Sequence, residues 1–425
     1  MGKDKIIELR GPEGTQDALT EFLRNGAQRL IREAVEAEFA EFLSGFQGQR
    51  LADGRQQVVR NGYLPEREVQ TGIGPVNVEV PRARDRGDGE AKFKSKLLPP
   101  YLRRTTSVEE LLPWLYLKGI STNEFSEALQ GLLGKNASGL SGSTICRLKA
   151  EWENECTAWR KRSLAKKRYV YLWADGIHCS IRGDDEKLCM LVILGVNEGG
   201  QKELVALNDG YRESEESWLE VLRDLKTRGL TSEPLLAIGD GALGFWKALP
   251  QVFPSTREQR CWQHKTLNIL DKFPKSMRGK ILEALHDIWM APTRAEALKA
   301  YQRFVTSYKD KYSRAVECLE KDRDTLLAFF DFPAEHWRSI RTTNPIESIF
   351  ATVRHRSSRA RGCVSRGSML AFTYKLIGAA EKSWHRLEGF QRVGELIQGI
   401  KFTDGVPPPK EEQDSQKEDN SSLAA

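Results

Sequence analysis

The chain has 425 residues, and its 65 Lys and Arg against 59 Asp and Glu give a formal charge of +6. It is too long for one ordinary domain, so two to four units are expected, and the small basic excess implies no extreme electrostatic class. Seven scattered cysteines without paired spacing exclude a small secreted disulfide scaffold and imply a reduced compartment. Met1-Gly-Lys-Asp-Lys5 leads to no apolar signal core, and no stretch approaches the ~18–20 apolar residues that span a bilayer, so a soluble cytoplasmic protein is expected.

From about Thr15 to Leu43, Leu19, Phe22, Leu23, Leu30, Ile31, Val35 and Phe39 recur at helical spacing and predict a long amphipathic helix. Such a helix suits packing on its own chain or pairing with another subunit. Glu68 to Val80 alternates around a Gly-rich turn and predicts a hairpin, after which Arg82, Arg84 and Arg86 form a basic strip entering a polar linker. Three short helices follow, over Ser107–Lys118, over Glu124–Leu133, and after Ser141-Gly-Ser-Thr144. The last carries Arg147, Lys149 and Arg160. A helix, tight turn and basic helix fit a helix-turn-helix DNA reader, against the plainer reading of a three-helix packing module.

The middle of the chain turns to strands. Tyr169–Ala174 runs into Asp175; Leu188–Leu194 and Glu203–Leu207 are apolar; a helix over about Ser214–Arg228 precedes Leu235–Gly239, which runs into Asp240. Three strands, a helix and a further strand is the ribonuclease-H-like order, in which parallel neighbours present their C-terminal side chains at one crevice. From Lys272 to about Arg338 the pattern is all helical, for example Lys280–Trp289 and Thr293–Tyr308. Thr343-Asn-Pro345 then announces a helix with Glu347 in its first turn. No acid lies between Glu347 and Glu381, a stretch holding Arg354, Arg356, Arg359, Arg361, Arg366 and Lys375, which suits a phosphate backbone. Beyond Lys401 the composition predicts disorder.

Taken singly, Asp175 and Asp240 are turn residues and Glu347 a capping-box glutamate. Taken together, two carboxylates at the ends of adjacent strands and one on a helix with an apolar face (Ile346, Ile349, Phe350, Val353) can hold two divalent cations against a phosphodiester. This is nuclease or strand-transfer chemistry. Glu213, Glu215 and Glu216 open a helix, where the macrodipole explains them. Cys261 and His264 lack a second matching pair for structural zinc, His178 and Cys179 being the only near candidates. They read as a packing pair or as residues beside the active site.

Five segments resemble the Mutator-type bacterial insertion-sequence transposases: Tyr171-Leu-Trp-Ala-Asp-Gly176; Glu215-Glu-Ser-Trp218 with Arg228-Gly-Leu230; the strand into Asp240; Gln259-Arg-Cys-Trp-Gln-His264; and Phe332-Pro-Ala-Glu-His-Trp337 leading to Thr343-Asn-Pro-Ile-Glu347. The resemblance runs from around Arg60 to about Trp384. It implies a DDE transposase with Asp175, Asp240 and Glu347 as catalytic metal ligands, Cys261 and His264 as a Cys-x-x-His signature, and a helical insertion before the Glu. Gly176 and Ala242 depart from the usual family pattern, which bears on subgroup and substrate preference.

The expectation is therefore an α/β catalytic core of ribonuclease-H-like fold interrupted by an all-α insertion and preceded by a mainly helical DNA-binding region. Its segments are a helical N-terminus with possible oligomerisation (1–50), a small hairpin and basic linker (51–103), a helix-turn-helix-like region (104–165), the first part of the core (166–271), the insertion (272–340), the closing part with Glu347 (341–402) and a disordered tail (403–425). The expected function is binding of terminal inverted repeats and target DNA, with cleavage and strand transfer using two Mg²⁺ or Mn²⁺ ions per site. Arg147, Lys149, Arg354, Arg356, Arg359 and Arg361 are the expected DNA contacts, in a homodimer or higher oligomer associated with the nucleoid. The alternatives are an inactive transposase-derived DNA-binding protein and a structure-specific nuclease of the same fold.

Overall fold

The computed structural model describes residues 18–87, 89, 91–105, 108, 142–179, 188–210, 212–241, 243–359 and 365–409. The chain divides into two compact units, Met1–Leu148 and Lys149–Ala425. No helix among the described residues is long and apolar enough to cross a membrane.

In the first unit, helix α1 (Ala18–Ser44) buries Val35 and Phe39, while Phe22, Leu23 and Leu30 stay exposed. Strands β1 (Val58–Tyr63), β2 (Arg67–Thr71), β3 (Gly74–Val78) and β4 (Pro81–Asp85) form two antiparallel pairs, β2 with β3 and β1 with β4. The β2–β3 turn sets Thr71 opposite Gly74, whose φ of 99° a side chain would resist. Val69, Val76, Val78 and Val80 pack with Val35 and Leu98 into a small core. Arg82 and Arg84, read as the start of a linker, instead alternate outward along β4. The inward positions there hold only Pro81, Ala83 and Asp85, so the alternation carries no strong apolar signal. The first two helices expected between 107 and 133 lie, apart from Val108, outside the described residues. The third is α2 (Gly142–Arg160), of which residues from Lys149 on belong to the second unit.

The second unit is mixed α/β. Its sheet comprises β5 (Tyr169–Cys179), β6 (Leu188–Asn197), β7 (Lys202–Gly210), β8 (Leu236–Gly239) and β9 (Arg257–Arg260), in the order β7-β6-β5-β8-β9. β5, β6 and β7 are antiparallel, whereas β8 and β9 run parallel to β5. β6 is buried from Leu188 to Val196, as its unbroken apolar run requires of a central strand covered on both faces. Helices α3 (Glu215–Thr227) and α4 (Leu243–Val252) cover one face, where Trp218, Leu222, Phe245 and Leu249 pack on Leu172, Ala174 and Ile193. α3 starts at Ser214, whose side chain accepts from Ser217 N.

After β9 come α5 (Trp262–Leu270), α6 (Arg278–Trp289), α7 (Arg294–Tyr308), α8 (Ser313–Glu320), α9 (Arg323–Leu326) and α10 (Trp337–Ile340), so residues 272–340 hold helices and no strand. The chain returns through α11 (Asn344–Arg359), α12 (Arg366–Glu381) and α13 (Val393–Ile397). Ile346, Ile349, Phe350 and Val353 of α11 are all buried, with α11 packed on β5. Residues 403–409, read as the start of a disordered tail, instead fold back. Asp404 Oδ1 accepts from Arg294 N at 2.7 Å, Gly405 N donates to Phe330 O at 3.1 Å, and Phe402 is buried. Asp and Gly serve here as turn residues, a use that composition alone does not separate from disorder. Residues 410–425 lie outside the described set.

The α3–α4 contact has no room for a methyl group. A Cβ at Gly244 would stand 2.2 Å from Glu213 O and 2.5 Å from Ser214 C, both backbone atoms. Gly244→Ala is therefore expected to destabilise the protein by about 2–3 kcal/mol, the upper range for overpacking, in a guanidinium unfolding titration.

Candidate active site

The parallel register of β5 and β8 sets Ala174 beside Gly239, so the next residues, Asp175 and Asp240, emerge side by side. Adjacent strands are about 4.8 Å apart, and in-register side chains of parallel strands share a face. Asp175 was expected to end its strand but lies inside it, because β5 continues to Cys179 along the antiparallel ladder with β6. Only the β8 side of the ladder stops at that level. Gly176 N donates to Asp175 Oδ1 at 2.8 Å and Gly241 N to Asp240 Oδ1 at 2.5 Å. The Asp240 carbonyl accepts from Trp246 Nε1 at 2.6 Å and from Arg260 Nη1 at 3.3 Å.

Glu347 arrives from 107 residues beyond Asp240, and its position is set by the start of α11. Thr343 is fully buried. Its N–H donates to Cys261 Sγ at 3.3 Å, and its hydroxyl donates to Glu347 Oε1 at 2.5 Å while lying 3.2 Å from the same sulfur. Trp173 Nε1, on the face of β5 that alternation gives to Asp175, donates to Thr342 O at 3.1 Å. Glu347 is thus no capping-box residue, because its carboxylate takes a side-chain hydroxyl.

His264 closes the group. Its Nδ1 stands 3.8 Å from Asp240 Oδ1, 3.7 Å from Glu347 Oε1 and 3.3 Å from Thr343 Oγ1. Hydrogen bonding with Cys261 and the two carboxylates hold the imidazole up to about 9, against the cost of burial. It is therefore a cation at neutral pH. Asp175 behaves oppositely: burial, reinforced by Glu213 and Asp240, pushes its carboxyl up to about 7.

The structure brings Asp175, Asp240, Glu347, Cys261 and His264 together. Cys261, His264 and Glu347 offer ligand atoms within 4.8 Å of one another, but Cys261 is buried with its sulfur committed to Thr343. Arg147 and Arg354 are exposed on α2 and α11, and Lys149 is half-buried. Arg356 and Arg359 belong to α11, with side chains outside the described set, as is all of Arg361. Lys375 is engaged by Glu155.

Three residues that bear on this group from its surroundings were not given that part in the sequence reading. Glu213 was taken as a helix-opening acid but precedes the cap, and its carboxylate sits against Gly176. The missing side chain at Gly176 was the available signal. Gln259 is fully buried: its Nε2 donates to Leu326 O at 3.1 Å and its Oε1 accepts from Phe329 N at 2.8 Å. Thr343 lies one helical turn before Glu347.

Two outcomes follow. Thr343→Val should lower the melting temperature by about 3–6 °C, the equivalent of roughly 1–2 kcal/mol for a domain of this size, while Thr343→Ser, which keeps the hydroxyl, stays near the parent value. In EDTA, Asp175→Asn should be more stable than the parent at pH 8. The folded Asp175 carboxyl retains a proton that the unfolded chain has already lost, so this contribution to parent stability falls as pH rises from about 4 through about 7. The gap between the two proteins should open over that window and stay constant above it in a pH series of thermal melts.

A family model described as transposase, Mutator family, matches residues 3–386. The transposase for insertion sequence element IST2 of Acidithiobacillus ferrooxidans is 53% identical over 281 residues, covering 66% of this chain and 95% of that protein. The transposase for insertion sequence element IS6120 of Mycolicibacterium smegmatis is 51% identical over 298 residues, 70% of this chain and 92% of that one. Among solved structures, the Drosophila P element transposase strand transfer complex covers 68% of this chain and 92% of its own at 12% identity, with a TM-score of 0.21 that carries no fold argument.

Proposed function

Because the chain belongs to the Mutator family of transposases, we propose that it cuts and joins DNA at the ends of its own insertion sequence by a DDE mechanism, with Asp175, Asp240 and Glu347 as the catalytic acids. The observation that supports this most is the approach of Asp240 and Glu347 to one side of His264, at 3.8 and 3.7 Å, with Asp175 in register beside Asp240. We read the sheet order, three antiparallel strands followed by two parallel ones, with helices alone between β9 and α11, as a ribonuclease-H-like core with an all-α insertion.

The donor set fits hard divalent cations. Three carboxylates supply oxygen ligands, and a carboxyl held up to about 7 marks a place where negative charge lacks compensation. Two Mg²⁺ or Mn²⁺ ions bound there would activate a water or a 3′-hydroxyl and stabilise the leaving oxygen of an in-line displacement. The residues themselves do the positioning. Asp175 and Asp240 are fixed by the β5–β8 register, and Glu347 by the Thr343 hydroxyl. His264 places a positive charge near both Asp240 and Glu347, limiting their repulsion. Terminal repeats would be read by the 104–165 region, including Arg147 and Lys149, with phosphates held by Arg354 and the basic residues Arg356, Arg359 and Arg361 that follow it. The exposed Phe22, Leu23 and Leu30 of α1 suit pairing between copies on DNA.

Asp175→Asn, Asp240→Asn and Glu347→Gln should each abolish cleavage and strand transfer of an end-containing duplex in Mg²⁺, while gel-shift affinity for that duplex changes less than about twofold. Each removes a charged ligand without removing a contact to the end sequence. Robust cutting by any one of them would remove that residue from the mechanism. End binding without cutting by the parent protein would favour the inactive DNA-binding reading, and cutting without end preference the nuclease reading.

A further inference from the structure

β5 carries a second group of ligand-bearing side chains on the face opposite Asp175. Alternation along the strand puts Asp175 with Trp173, toward Thr342, and His178 with Ala174 and Gly176, toward the α3–α4 side. His178 is paired across the ladder with Cys189 of β6, so both side chains leave the sheet on that face. Glu213, just before α3, reaches over the same spot. Its Oε1 stands 3.3 Å from His178 Nε2 and would lie 2.4 Å from a Cβ at position 176, a place that only glycine leaves open. Ligand atoms of His178, Cys189 and Glu213 all lie within 4.8 Å of one another.

We propose that His178, Cys189 and Glu213 bind a borderline divalent cation of the Zn²⁺ class, at a site separate from the three carboxylates. The chemistry of the set decides the class: one imidazole nitrogen, one sulfur and one carboxylate oxygen suit Zn²⁺ or Co²⁺ and discriminate against Mg²⁺, which demands oxygen ligands. The ligands come from three chain segments, β5, β6 and the turn before α3, so binding ties that turn to the strand bearing Asp175. Cys189 is buried and His178 exposed, so the ion enters from the His178 side, where water completes a tetrahedron. The site stands on its own observations and does not depend on the DDE reading.

Co²⁺ titration of the purified full-length apoprotein tests it, because a sulfur ligand gives a thiolate-to-cobalt charge-transfer band that carboxylates cannot produce. The band should appear at one ion per chain in the parent and in an Asp175→Asn, Asp240→Asn, Glu347→Gln triple variant, and Zn²⁺ should displace it. It should vanish in Cys189→Ser with the circular dichroism unchanged. The exposed His178→Ala substitution, which leaves the core intact, and Glu213→Gln should each weaken Co²⁺ binding by about 10-fold or more. A band that survives Cys189→Ser and disappears in Cys261→Ser would overturn the assignment and move the ion to Cys261. Absence of any band, or unchanged affinity in His178→Ala, would overturn it too.

Discussion

The placement of Glu347 depends on a buried polar clamp at the end of β9. Gln259 accepts from Phe329 N and donates to Leu326 O, Trp262 Nε1 donates to the same Leu326 carbonyl at 2.7 Å, Trp262 N donates to Arg341 O at 2.9 Å, and the Cys261 sulfur receives Thr343. These bonds join residues 64 to 82 apart in sequence. The side-chain bonds among them are buried, so losing one leaves a buried donor or acceptor unpaired at a cost of roughly 1–3 kcal/mol. A long helical excursion can therefore leave the sheet and return in fixed register. Lengthening such a loop adds closure entropy only logarithmically, about 0.6 kcal/mol per doubling, so the clamp can outweigh it.

The same clamp gives physical content to the segment Gln259-Arg-Cys-Trp-Gln-His264. Gln259, Cys261 and Trp262 point into the protein and hold the returning chain, Arg260 lies over the Trp246 ring at 4.2 Å and donates to the Asp240 carbonyl, and His264, one turn into α5, faces the carboxylates. The His336 segment is likewise structural. Its ring takes the Tyr171 hydroxyl at Nδ1 (2.7 Å) and donates from Nε2 to Gly389 O (3.0 Å), tying β5 to the chain after α12, and burial lowers its basicity. A histidine so satisfied is a core residue, whereas His264, held as a cation among carboxylates, is not.

Much of this was legible in the sequence because the carriers are strongly patterned. The runs into Asp175 and Asp240 are continuous and apolar, and Asn344-Pro345 marks a helix start whose apolar face is Ile346, Ile349, Phe350 and Val353. What was not legible depends on partners remote in sequence. β4 is a strand because β1 pairs with it, although its inward residues are Pro81, Ala83 and Asp85. Residues 403–406 are ordered by Arg294, Phe330 and Ala334, and no local composition announces that. Glu213 belongs beside β5 only because Gly176 vacates the space.

The extent of β5 beyond Asp175 shows how its carboxylate is held in place. β8 is four residues long and β5 eleven, so the parallel neighbour ends while the antiparallel ladder with β6 carries on to Cys179. An aspartate at a free strand end would have frayed neighbours on both sides. Here Asp175 has paired backbone before and after it, Asp175 opposite Val192 and Gly176 opposite Leu191, and the ladder is interrupted only on the side where β8 stops. Rigidity of this kind matters because the site is electrostatically unfavourable by itself. Burial, reinforced by Glu213 and Asp240, drives the Asp175 carboxyl up to about 7, while His264 is the cation beside Asp240 and Glu347. A flexible strand would relieve the repulsion by moving Asp175 toward solvent. The two-sided ladder prevents that and keeps the charge where a cation can use it.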